Sequence, residues 1–393
     1  MMSQKYKILH VVNNLSPSST PIEWLNNFDT NVFDIYVMSL LNKGQISANT
    51  NVKVRTTRAI GRNDWQAYLD FYCILKEIQP DIIHTHANVS GFLGAVFGKI
   101  NKTKVVDTEH NDHKGFNKIG LLLNCVAMKI ADVVICNSKN TLNSFYMFEK
   151  FLIKNKQKSI IYNGVDIEWI DREYGNKDKA SQEWNLEDKF VIGNIGRLTK
   201  QKDQRTIILG IKKIINTIPN LKLIIVGSGK LEKNLKDLVM KNDLGKYVCF
   251  TGLLNRKKVY QLLHCFDVFV MSSLWEGFCN AVVEAMAARI PVIVTKVGPL
   301  PEVVGDSGIY VAPNKPQVIT DAILELKDDP KKAKKIGEAG RKRVLENFSM
   351  RKTVENYEKL YNQLLKKEDR LLSQRRGDCT KHNEQPGNFH QRY

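Results

Sequence analysis

The stretch VFVMSSLWEGFCNAVVEAMAARIPVIVT, residues 268–295, reads as strand, loop, helix, strand. Residues 268–272 and 291–295 are short apolar runs with turn residues beside them, the form of a strand buried on both faces. Between them, residues 280–289 are apolar everywhere inside the ends except at Glu284, so this part reads as a helix buried on all sides. Such units belong to a parallel sheet wrapped by helices.

Working outward, the same pattern recurs through the chain. Candidate strands in the first half are residues 7–12, 35–39, 81–85, 104–107, 133–137 and 160–162; in the second half they are 191–196, 221–226, 248–251, 268–272 and 291–295. The architecture appears twice, and 393 residues with 43% hydrophobic content suffice for two cores. The predicted fold class is therefore α/β with two Rossmann-like domains. Residues 166–189 are charged, poor in aliphatic residues and contain Gly175, so they read as a linker. This puts a boundary near residue 170, with one domain over 1–170 and another over 171–350. Residues 318–346 read as helical and basic, and residues 351–367 as an amphipathic helix with Val354, Tyr357, Leu360, Tyr361, Leu364 and Leu365 as its stripe. The polar tail over 368–393 has no period and is expected to be disordered.

Charge and cysteine usage narrow the class. A formal net charge of +18 favours an anionic partner, whether nucleic acid, a phosphorylated substrate or an acidic membrane face. The lysines are spread along the chain without a nucleic-acid-binding signature, so no nucleic acid is expected. The seven cysteines form no C-x-x-C pair and mostly lie in apolar runs, as buried free thiols do. The start is too short in apolar residues for a signal peptide or span, which leads to the expectation of a soluble, cytoplasmic protein.

Several residues in the loops could carry chemistry. Glu284 in its apolar helix needs a partner, since an unpaired buried carboxylate costs several kcal/mol. A ribose with two hydroxyls and an internal Arg or Lys would serve equally well. Glu276 and Gly277 follow a strand, at the sheet edge where open parallel sheets bind ligands. Free amides at Cys279, Asn280 and Ala281 would suit a phosphate, and Glu276 could bond sugar hydroxyls. GRLTKQKDQ places Arg197 and Lys202 at the same edge, where they could take up charge on a diphosphate without a metal. No D-x-D pair occurs, so a metal-held diphosphate is disfavoured and no metal or cofactor is expected. In the first half, His110 follows the strand at 104–107. The pair His84 and His86 alternates along a strand with no carboxylate partner, which argues against a metal there. VGSGKLE, residues 226–232, fits neither a dinucleotide fingerprint nor a P-loop and reads as a turn that lets a nucleotide approach the backbone.

Taken in order, IIYNGVD (160–166), GRLTKQKD, IIVGSG, FTG (250–252), CFDVFVMSS, EGFCNAVVE and VGPLPEVVGDSGIYV resemble the retaining glycosyltransferases of family 4, over roughly residues 5–365. The resemblance implies the GT-B architecture, two Rossmann-like domains facing across a cleft. It implies that Arg197 and Lys202 hold the donor diphosphate, that Glu284 bonds the nucleotide ribose and that Glu276 meets the donor sugar. His110 matches the family histidine beside the reacting sugar, and the helix near 351–365 would cross back onto the first domain. The sequence departs from the pattern twice: Thr20 and Pro21, ahead of Glu23, stand where relatives carry a glycine loop, and Arg289 stands where they have glycine after the helix.

The implied activity is transfer of a sugar from a nucleotide donor to a glycan or lipid-linked acceptor, in bacterial lipopolysaccharide, O-antigen or capsule synthesis, with the enzyme peripheral at an anionic membrane face. Alternatives are a nucleotide-sugar epimerase of the same fold, a non-catalytic nucleotide-sugar-binding relative and a basic nucleic-acid binder.

Overall fold

The computed structural model describes residues 5–13, 15, 24–41, 51–59, 64–86, 88–113 and 116–381; Thr20, Pro21 and Glu23 lie outside them. Two parallel sheets organise the chain. The first contains Tyr6–Val12 (β1), Phe33–Ser39 (β2), Lys53–Thr56 (β3), Ile82–Thr85 (β4), Lys104–Glu109 (β5), Val133–Cys136 (β6) and Gln157–Ile160 (β7), in the order β3-β2-β1-β4-β5-β6-β7. The second contains Phe190–Ile195 (β8), Leu221–Val226 (β9), Val248–Gly252 (β10), Val268–Met271 (β11), Val292–Thr295 (β12) and Ile309–Val311 (β13), in the order β10-β9-β8-β11-β12-β13. The inner strands, such as VVIC of β6 and VFVM of β11, are buried at every position because helices cover both faces.

Three strands differ from the expectation, for two reasons. KVRT of β3 and QKSI of β7 are sheet edges whose residues are exposed or half-buried, so polar side chains are tolerated there and hydrophobicity does not mark them. β13 has only three residues, too few to show a pattern.

The linker reading at 166–189 is overturned. Asp166 caps a helix over Ile167–Glu173 by accepting from the Trp169 amide, and a second helix follows over Lys177–Glu183. Ile167, Ile170, Ala180 and Leu186 join the core of the second half. Helices of seven residues are too short to display a period, and their charged outer faces resemble a linker. The chain crosses between halves at Val165, which pairs with Ser349 on the return path: the Val165 amide donates to the Phe348 carbonyl at 2.9 Å and the Met350 amide to the Val165 carbonyl at 3.0 Å.

After that return, the helix Met350–Lys381 lays Val354, Tyr357, Leu360, Tyr361, Leu364 and Leu365 into the core of the first half. Trp24 stacks on Tyr357 with ring centroids 4.5 Å apart. The helix continues through 368–381, part of the tail expected to be irregular; no proline interrupts it, and Lys, Glu, Arg, Leu and Gln are good helix formers. No helix among the described residues is long and apolar enough to cross a membrane.

Candidate active site

In each sheet the strand order reverses beside the first strand, between β1 and β4 and between β8 and β11. Loops leaving the carboxyl ends of such strands diverge and open a crevice. In the second half these are the loops after β8 and β11, which carry Arg197 and Lys202 on one side and Glu276 on the other.

The two loops are stitched together before any ligand arrives. The Ser272 hydroxyl donates to the carbonyls of Lys202 and Asp203 at 3.0 and 2.8 Å. The Leu274 amide donates to the Gln201 carbonyl, and the Gln201 side chain returns a bond to the Trp275 carbonyl. Held this way, Lys202 Nζ lies 2.5 Å from Glu276 Oε1, which also accepts from the Ser273 hydroxyl at 2.5 Å. Glu276 is buried and Lys202 nearly so, with side-chain exposures of 4% and 12%. Burial works to lower the Lys202 pKa, but its interactions with Cys279 and with Glu276, including the hydrogen bond to Glu276, outweigh it and the net shift is upward. Burial pushes the Cys279 thiol up to about 12, so it is neutral near pH 7 and Glu276 is the partner that counts.

Helix Asn280–Ala287 begins beside this pair. Its N-cap residue Cys279 has φ 71° and makes no side-chain cap hydrogen bond. Asn163 of the first half donates to the Asn280 side-chain oxygen at 3.4 Å.

Glu284 is 1% exposed, and Arg256 NH1, at the start of helix Arg256–Leu263, lies 2.7 Å from its Oε1. The internal-cation alternative is thus realised. Oε1 is charge-paired yet has no aligned hydrogen bond, which leaves it acceptor capacity. Arg197 is exposed; its positive charge is near enough to oppose protonation of Lys202.

His110 follows β5 and faces this loop from the first half. Its carbonyl accepts from Asn137 Nδ2 at 3.0 Å, and a Cβ on Gly277 would sit 2.5 Å from that same oxygen. Glycine at 277 therefore lets the two halves touch beside Glu276. Burial depresses the His110 pKa to about 4, so the ring is neutral at pH 7. Its Nε2 lies 3.2 Å from His86 Nδ1.

The VGSG turn packs against the loop after β8. A Cβ on Gly229 would meet the Leu198 carbonyl at 2.4 Å, and the Leu198 amide donates to the Ser228 carbonyl. Its glycine admits the neighbouring loop's backbone and so braces the segment carrying Arg197.

The two halves also meet through Glu302, which accepts from the amides of Lys139 and Asn140 and from the Tyr162 hydroxyl at 2.7–3.1 Å. Arg256, Ser273, Asn163 and Glu302 went unmarked in the sequence reading. Ser273, Asn163 and Glu302 lie in segments singled out there, within CFDVFVMSS, IIYNGVD and VGPLPEVV, whereas Arg256 does not.

Comparison with known proteins agrees with this geometry. Residues 34–169 match Glycosyltransferase Family 4, and residues 176–343 match Glycosyl transferases group 1. An uncharacterized glycosyltransferase of Methanocaldococcus jannaschii is 35% identical over 242 residues, a match spanning 58% of each chain and so somewhat more than half of that relative. The Escherichia coli UDP-Gal:alpha-D-GlcNAc-diphosphoundecaprenol alpha-1,3-galactosyltransferase is 27% identical over 311 residues, 76% of this chain and 79% of that one. The crystal structure of Anabaena HepE in complex with UDP and glucose aligns with a TM-score of 0.77 at 21% identity, covering 91% of this chain and all of that one, which shows the GT-B fold.

Proposed function

We propose that this chain, whose halves match Glycosyltransferase Family 4 and Glycosyl transferases group 1 and which has the GT-B fold, is a family 4-type glycosyltransferase that moves a sugar from a nucleotide-sugar donor to a glycan or lipid-linked acceptor with retention of anomeric configuration. The observation that carries the reading is the buried Lys202–Glu276 pair at the reversal of strand order, touching the His110 loop through Gly277. In this reading Arg197, Lys202 and the first-turn amides of Asn280 and Ala281 take up charge on the donor diphosphate. Glu284, paired with Arg256, accepts from the ribose hydroxyls. Glu276 and His110 hold the transferred sugar from opposite sides of the crevice.

The bond from the sugar's anomeric carbon to the phosphate oxygen breaks as the acceptor hydroxyl bonds to that carbon on the same face. The leaving phosphate, held by Arg197 and Lys202, receives the hydroxyl proton. His110, its pKa depressed by burial to about 4, is a weak base, and Glu276 is engaged by Lys202 and Ser273, so neither is placed as an effective base.

The lipid-linked acceptor of the E. coli relative supports a role in surface polysaccharide assembly, whether O-antigen, lipopolysaccharide or capsule. An apolar patch supports work at an anionic membrane face. Ile119 and Leu122, with Met147, Phe148 and Phe151 on the adjoining helix Met147–Leu152, are exposed, as are Lys118, Lys150 and Lys154 around them. Sedimentation with anionic vesicles should be strong at low salt and weak at high salt, and binding that ignores salt would count against this part.

A thermal-shift screen with UDP, GDP and ADP sugars, followed by product analysis with lipid-linked acceptors, tests the main reading. A melting point raised by one nucleotide class and an acceptor-dependent glycoside are expected. Conversion of the donor with no acceptor present would point to an epimerase instead.

A further inference from the structure

The first half holds a row of buried rings that the proposed reaction leaves unused. On the sheet face that meets helix Met350–Lys381, Ile8 and Val12 of β1, Ile82 of β4 and Val106 of β5 are core residues. His10, His84 and Thr108 stand at alternate positions of the same strands, and His86 and His110 come two residues after His84 and Thr108. Thr108 Oγ1 lies 2.6 Å from His84 Nε2, and His84 Nδ1 lies 2.6 Å from the Tyr361 hydroxyl. That hydroxyl is 3.4 Å from His10 Nε2, and His10 Nδ1 is 2.9 Å from His86 Nε2. His86 Nδ1 closes the row on His110 Nε2 at 3.2 Å.

His10, His84 and His86 offer nitrogens within 4.8 Å of one another, a spacing that also suits a metal. Each of their ring nitrogens already has a neighbour in the row, and no carboxylate belongs to the group. Burial lowers all four imidazole pKa values, His10 to about 3, so all are neutral at pH 7. A neutral imidazole donates through one nitrogen and accepts through the other. One link's direction therefore sets the next, and the row has two possible polarities.

The closed end selects between them. The Thr108 hydroxyl is buried, and its neighbour beyond the row is another buried hydroxyl, that of Tyr357. Hydroxyls at the end of a dry row use their protons only by pointing them along it. The opposite polarity strands a buried O–H, at about 1–3 kcal/mol.

We infer that the row is polarised from Thr108 toward His110, and that His86 is a positioning residue holding His110 as the Nδ1–H tautomer, its Nε2 accepting from His86. His110 then meets its ligand as a hydrogen-bond donor, toward a sugar hydroxyl or phosphate oxygen. The tautomer follows from the row alone; that Nδ1 faces the donor sugar rests on the function proposed above.

Imidazole nitrogen NMR on the full-length, ligand-free chain labelled at histidine tests this, with His110 assigned by the loss of its signal in His110→Gln. One tautomer, protonated at Nδ1, is expected for His110 near neutral pH. Tyr361→Phe removes one hydroxyl while keeping the ring packed, and His86→Leu cuts the last link; both should turn His110 into a tautomer mixture. His86→Gln, whose amide both donates and accepts, should restore the single form. An Nε2–H tautomer in the parent chain, or a single Nδ1–H form surviving both Tyr361→Phe and His86→Leu, would overturn the proposal. So would one equivalent of zinc bound tightly enough to move the His10, His84 and His86 signals together. If the tautomers behave as expected but His110→Gln leaves turnover of the donor found by thermal shift intact, the row stands and the placement of His110 against the sugar falls.

Discussion

Replacing Lys202 by methionine removes an ammonium and keeps most of the stem. Glu276, 4% exposed, is then left with the Ser273 hydroxyl as its remaining close donor. Stranding a buried charge in this way costs about 3–5 kcal/mol. At roughly 2–4 °C per kcal/mol for a unit of 150–250 residues, the melting point should drop by about 6–20 °C. Glu276→Gln should cost less, about 1–3 kcal/mol, because the side chain of Lys202 is 12% exposed and its ammonium can turn to water. The double variant Lys202→Met, Glu276→Gln should lose about 2 kcal/mol less than the sum of the singles. Calorimetry or urea denaturation of the four proteins gives the cycle directly. In turnover, Lys202→Met should fall by about 10²–10³, the effect of losing one charge-stabilising donor. Strictly additive stabilities would refute the coupling, and unchanged turnover would refute the placement of Lys202 at the reacting phosphate. Loss of activity in single variants must therefore be read beside their stability, since the same pair supports the fold.

Other consequences can be measured separately. Arg289 adopts φ 61° after helix Asn280–Ala287, a conformation that favours glycine, and its ion pairs are half-exposed; Arg289→Gly should stabilise by about 1 kcal/mol, read by urea midpoint. Burial alone would lower the His113 pKa, but Glu109 and Glu149 raise it to about 9. That contribution is complete below the unfolded value of 6.5 and is lost as pH rises through about 9, so the melting point should fall between pH 7 and 9.5, and His113→Asn should flatten the slope. Asp107, pushed up to about 8 by burial and by Glu109, adds to the loss only up to about pH 8, because its cost accrues from the unfolded value of 3.8 and is complete once it ionises in the fold. Ending the chain at residue 349 removes Met350, Val354, Leu360, Leu364 and Leu365 from the first core, roughly 1.5–3 kcal/mol each. Their sum is comparable to a whole domain's stability, about 5–15 kcal/mol, so hydrogen exchange should show the first half unprotected.

Local patterns carried the reading where cause and signal lie in the same short segment. The apolar helix around Glu284 and the loop acid Glu276 are of this kind, as is the stripe from Val354 to Leu365, because burial writes itself into periodicity. Contacts between distant segments leave no such mark. Arg256 opens a helix of ordinary basic character, and nothing in LNRKK tells that its guanidinium meets Glu284. The alternation of His84 and His86 was visible, but His10 and Tyr361, which complete their row, come from the two ends of the chain. The helices at 167–183 were hidden by shortness and the edge strands β3 and β7 by solvent on their flanks.

The pairing of Val165 with Ser349 also bears on the order of synthesis. Residues 165–349 form an insertion within the first half, which needs the helix beginning at Met350 to fill its core. A ribosome delivers the inserted half complete while the outer half still lacks its last wall. The inserted half can thus finish folding while the nascent chain is attached, whereas the histidine row waits for Tyr361 and can close only near the end of translation.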